Sequence, residues 1–155
     1  MSTNQALETW DIHNRINLYV LDAIDSENLG DVSPSKGRTV GELFVHLHNV
    51  RLMWLKAAAP DLLKNLNKVE KTEAGKKIQL RKSLLDSGNA IGLLLKNALE
   101  GDGRIKGFKP HALAFMGYMI AHESHHRGQI ALLLRQSGHR LDNKILYGMW
   151  EWGVR

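Results

Sequence analysis

The stretch HESHHRGQI, residues 122–130, gathers His122, Glu123, His125 and His126 within five positions, with Arg127 and Gln129 close behind. Imidazole binds borderline metal ions and a carboxylate can take up or orient protons, so these residue types suit a metal centre or an acid–base pair. An α-helix turns about 100° per residue, which stacks His122 and His126 one turn apart on one face. Their ring nitrogens can then aim at one ion, at ~2.0–2.1 Å for zinc. On the helical wheel His126 lies just inside the edge of the apolar stripe and His122 flanks it. Glu123 also falls on the stripe, where a carboxylate needs a partner; Arg127, adjacent in angle, is the expected one. His125 points away from the pair, towards solvent or the mouth of a site.

Two imidazoles make a poor metal site, so a third ligand must come from elsewhere. His46 and His48 are the candidates in GELFVHLHNVRLMWL, residues 41–55. They are two positions apart, about 200° round a helix, and sit on opposite shoulders of its apolar stripe. Periodicity does not choose between them. His13, His111 and His139 stand alone and read as ordinary helix, cap or loop residues. His122, Glu123 and His126 also spell H-E-x-x-H, the zincin pattern in which the glutamate is a protease's general base. The continuation HRGQIALLLR lacks the metzincin H-x-x-G-x-x-H, and the one downstream glutamate, Glu151, lies in the tail beyond a breaker. The protease reading is set aside.

Four amphipathic segments must position these residues. The first runs from about Ser2 or Thr3 to Ile24, with Thr3 as a candidate cap. A Gly/Ser/Pro/Asp-rich loop follows over 25–38. Thr39 with Glu42 forms a capping box that opens the second helix, which stops before Pro60. Residues 60–75 read as a long polar connection with a helical turn near Leu62 to Leu66. A third helix spans Lys76 to Glu100, with Gly88 and Gly92 weakening it. EGDGRIKGFKP, 100–110, is a second long connection, and the fourth helix runs from Pro110 to about Gln136, ended by Gly138. The tail carries Trp150 and Trp152, which are expected to pack back on the core. Strand signals are weak everywhere, and there are no internal repeats. This is an all-α four-helix bundle read as one domain, 1–155.

Composition narrows the function. The chain has 155 residues and no cysteine, which excludes disulfides, thiolate ligands and a cysteine nucleophile. No secretory signal opens it, and no apolar run nears the ~18 residues that span a membrane; a cytoplasmic location is expected. The formal charge of +5 raises nucleic-acid binding. The basic residues are dispersed, and KKIQLRK, 76–82, reads as a solvated helix start, so nucleic acid is disfavoured. Modest positive charge also suits an anionic small-molecule substrate.

GELFVHLHNVRLMWL, HESHHRGQIALLLRQSG and the tail YGMWEWG together resemble the DinB/YfiT-like family over nearly the whole chain. The resemblance implies an up-down-down-up bundle with long crossovers and one divalent metal ion (zinc, nickel or iron) on three histidines. Matched residue by residue, those are His46, His122 and His126; His48 falls outside the motif. It implies a homodimer as well. Three protein ligands leave positions open for substrate. Glu123 is then a candidate base, or a partner orienting a ligand histidine. The function expected is a metal-dependent hydrolase or a low-molecular-weight-thiol S-transferase. The alternative is a non-catalytic, metal- or ligand-binding dimeric stress-response bundle.

Overall fold

The computed structural model describes residues 2–155. Four long helices carry the fold: α1 (Thr3–Asp22), α2 (Val40–Ala58), α3 (Lys77–Glu100) and α4 (Ala112–Gln136); a short α5 (Asn143–Gly148) closes the chain. The first cap is Ser2 rather than Thr3. Its hydroxyl accepts from Gln5 N while the Gln5 side chain accepts from Ser2 N, and the helix ends at Asp22, short of Ile24. The expected Thr39–Glu42 capping box opens α2. Lys76 is the residue before α3 rather than its first, and the turn in the second connection falls at Pro60–Leu63, where proline presets the backbone.

Long-range pairings give the helix directions. His13 and Asn17 meet Glu123 and Arg127 in step, so α1 and α4 run parallel. Arg51 meets Glu123, and Trp54 meets Phe115 and Tyr118 further back, so α2 runs against α4. Trp10 bonds Gly88 O whereas Asp22 pairs with Arg81, so α3 opposes α1. The order is up-down-down-up. Each of α1 and α2 packs on both α3 and α4.

Because α2 and α3 run the same way, residues 59–76 must return along the bundle. Side chains of α2 clip this crossover down. Asn49 donates to Val69 O at 2.9 Å and accepts from Val69 N at 3.1 Å, while Val69 itself is buried. Gly41 makes the closest approach: a Cβ there would stand 2.1 Å from Ala74 O. At the α1–α3 contact Gly88 plays the same part, since a Cβ would lie 2.2 Å from the Asn14 amide.

The interior is two apolar clusters. One gathers Phe44, Leu47, Leu80, Leu84 and Ile130 towards the α2 start, the other Trp10, Leu55, Ile91, Phe115 and Met119 towards its end. Between them lies a layer of buried polar side chains: His13, Asn14 and Asn17 from α1, Arg51 from α2, Ser87 from α3, Glu123 and Arg127 from α4. The tail departs from expectation. Ile145, Leu146 and Met149 pack on the core, yet Trp150 is 78% exposed and Trp152 half-buried. The inward positions are already taken, and Arg155 closes the end by lying over the Tyr19 ring at 3.8 Å and bonding Gly148 O. Among the described residues no helix is long and apolar enough to cross a membrane.

Candidate metal centre

The antiparallel α2 and α4 bring His46 against the His122–His126 pair. Ring centroids are 5.3 Å apart for His46–His122 and 4.7 Å for His46–His126, and one nitrogen from each ring lies within 4.8 Å of the others. Nε2 of His122 and Nε2 of His126 face each other at 3.2 Å. Two nitrogens bound to one tetrahedral ion at ~2.0–2.1 Å stand roughly 3.3 Å apart, so the pair already has the spacing of ligands sharing an ion. Burial, ahead of the neighbouring charges, lowers the pKa of all three rings, that of His46 to about 4; Arg38 and the other imidazoles of the cluster push it the same way. Neutral imidazole is the form that binds metal.

Two neighbours steer the rings. Gln129 Oε1 accepts from His126 Nδ1 at 2.7 Å, which puts the proton on Nδ1 and leaves the Nε2 lone pair facing His122. His122 stacks on Tyr118 at 6.2 Å with planes 19° apart; its Nδ1 is buried without a hydrogen-bond partner among the described residues. His125 is exposed and meets His126 edge-on at 5.1 Å.

His48 turns to the opposite shoulder. Its Nδ1 faces Ser83 O at 3.0 Å on α3 and its Nε2 faces Asn67 O at 2.8 Å in the crossover. Both nitrogens face backbone carbonyls away from α4, and the single N–H of the neutral ring donates to one of them. His111 caps α4, accepting from Ala114 N, and His139 pairs with Asp31.

Glu123 does not sit where a base or a partner of His126 would. Its side chain is fully buried on the other side of α4, in the polar layer. Arg51 Nε and Nη2 donate to its two oxygens, each at 2.7 Å; Asn17 Nδ2 and His13 Nε2 add bonds at 2.6 and 2.7 Å. Burial would raise this carboxyl's pKa, but the Arg51 charge and hydrogen bonds outweigh it and hold it far below the usual range. Adjacent positions on a helix diverge by about 100°, which separates Glu123 from His122. Arg127 is not its partner in hydrogen bonding: Nη1 donates to Asn17 Oδ1 at 2.6 Å and to His13 Nδ1 at 3.3 Å, and Nη2 to Ser124 Oγ at 2.8 Å. His13, its pKa lowered chiefly by burial, is therefore neutral, with Nε2–H donating to Glu123 and Nδ1 accepting from Arg127. Burial likewise lowers the Arg127 pKa to about 10. Arg51 and Asn17 escaped the sequence reading. The signal was there for Arg51: it falls midway between Leu47 and Leu55, four residues from each, inside the apolar stripe.

An all-helical up-down-down-up bundle with three converging imidazoles between antiparallel helices defines a class of proteins able to hold a metal ion. The chain belongs to the DinB family, whose model matches residues 1–150. The comparisons with curated proteins and with solved structures return no match.

Proposed function

We propose that this chain binds one divalent metal ion through His46, His122 and His126 and acts on a small molecule, as a hydrolase or a thiol S-transferase. The observation that carries the reading is the meeting of three neutral imidazoles, two of them with Nε2 atoms 3.2 Å apart. Three ligands from the protein leave coordination positions for a substrate. When bound, the ion would supply a Lewis acid that polarises a substrate oxygen or holds a thiol sulfur as thiolate. The chain's own residues prepare the site. Gln129 sets the tautomer of His126, Tyr118 props His122, and Glu123 locks the rotation of α4 against α1 and α2 through Arg51, His13 and Asn17. Zinc, nickel and iron all suit three imidazoles. The family resemblance supports a homodimer.

Metal content of the tag-free protein, by elemental mass spectrometry with the oligomer mass alongside, tests the site. One ion per chain is expected, lost in the His46→Ala, His122→Ala and His126→Ala variants and kept in His48→Ala. Undiminished metal in His126→Ala would overturn the site. Turnover of model esters, and of thiols with electrophiles, by the metal-loaded but not the metal-free protein separates the enzyme from a binding module.

A further inference from the structure

One turn before His46 on α2 and one turn beyond His126 on α4 lies a cavity of about 300 Å³ lined by Lys36, Arg38, Leu43, Gln129 and Gln136, with Ser33 and Ser35. Two cations and four neutral polar side chains line it, and no carboxylate does. The nearest acids along the chain are committed elsewhere: Asp31 pairs with His139 at 2.7 Å, and Glu42 accepts from Thr39 N at 2.9 Å. Neither Lys36 nor Arg38 has an ion-pair partner among the described residues. Gln129 joins the two places. Its Oε1 is held by His126, and its amide N–H groups make no hydrogen bond among the described residues, so they are free to donate into the cavity.

We propose that this cavity is an anion subsite: Arg38 and Lys36, with the Gln129 amide, bind a carboxylate or phosphate on a small substrate whose other end reaches the histidine triad. A guanidinium matches an oxyanion in shape and charge, and an ammonium adds a point charge. With Glu123 occupied by Arg51, no acid within the site opposes a negatively charged ligand. The substrate class is then a small organic anion. The inference rests on the metal reading only for where the far end of the ligand goes.

Two titrations test the two parts separately. In cobalt-loaded protein, visible absorption follows binding of 3-mercaptopropionate and 6-mercaptohexanoate, each against the corresponding mercapto-alcohol. At least one carboxylate is expected to bind about tenfold more tightly than its alcohol, the scale of one charge-assisted contact. Arg38→Ala should erase that advantage, and Lys96→Ala, which removes an exposed cation from α3, should keep it. Equal binding of acids and alcohols, or an advantage that survives Arg38→Ala, overturns the subsite. Should the protein take up no cobalt, the metal reading fails and the subsite is read from metal-free protein. There inorganic phosphate, followed by amide NMR at low salt, should shift residues 33–38 and the Gln129 side chain in wild type but not in Arg38→Ala. No localised shift overturns it.

Discussion

Removing Arg51 should damage this protein more than removing any surface charge, and the size of the loss follows from what stays behind. Arg51 is fully buried and makes a two-pronged pair with an equally buried Glu123. In Arg51→Met the Glu123 carboxylate keeps Asn17 and a neutral His13 but loses its only directly bonded cation, and Leu84 O loses a donor at 2.8 Å. Breaking a buried pair from one side costs about 3–5 kcal/mol. A chain of this size has on the order of 10 kcal/mol in total. At roughly 2–4 °C per kcal/mol the midpoint should fall by about 10 °C. Glu123→Gln should cost a similar amount, because Arg51 and Arg127 are then two buried cations without an anion. The double change Arg51→Met with Glu123→Gln leaves neither charge of the pair and should cost clearly less than the two single losses together, with a coupling of about 2 kcal/mol. Urea denaturation followed by far-UV circular dichroism measures all three. Single variants within about 1 kcal/mol of wild type, or additivity within about 0.5 kcal/mol, would refute the claim that Arg51 and Glu123 hold each other in the buried polar layer.

Replacing Gln129 by Leu removes the acceptor that orients His126; metal affinity should drop about 10–100-fold with the denaturation midpoint unchanged, as read by competition with a chromophoric chelator. His48→Ala should do the reverse, keeping metal while loosening the crossover, seen as faster amide exchange over residues 66–70. Gly41→Ala forces a Cβ towards Ala74 O and should cost about 1–3 kcal/mol in thermal denaturation. The pH dependence follows from the buried histidines, His13 and His48 with the three of the triad, whose pKa values are all lowered, and from Glu123. The folded-state pKa of His13 lies below 6.5, so below pH 6.5 the unfolded chain takes up a proton that the folded one resists, and stability is lost as pH falls. Glu123, lowered from 4.5, adds a further loss only below pH 4.5. Metal-free protein should therefore weaken between pH 6.5 and 4.5, and a flat urea midpoint across that window would contradict a neutral buried His13.

Local signals in the sequence carry the helices. Thr39 and Glu42 close a capping box by contacts within four residues, Pro60 cannot continue a helix, and apolar spacing marks each buried stripe; none of these needs a distant partner. The same locality explains the misplaced details. Ser2 and Thr3 are equally good cap types, and the choice fell to the Gln5 side chain, which reaches back to Ser2. Trp150 is a large apolar residue with no local reason to face water; in the folded chain Ile145, Leu146 and Met149 hold the tail's inward positions and Trp150 stays outside.

What the sequence by itself determined is that His122 and His126 share one helical face, because a helix's pitch depends on nothing outside it. It also bore the family resemblance that implied His46. What only the tertiary structure decided is which shoulder of α2 meets that face. His46 and His48 are equivalent to periodicity, and the order of helices round the bundle separates them, with α4 beside one shoulder and α3 with the crossover beside the other. The destiny of Glu123 was likewise tertiary. A carboxylate on an apolar stripe demands a partner, but the nearest candidate in sequence, Arg127, lost to Arg51, some seventy residues away, whose two nitrogens reach both oxygens. Hydrogen-bond geometry across a helix interface chose it, and sequence spacing carries no information about that.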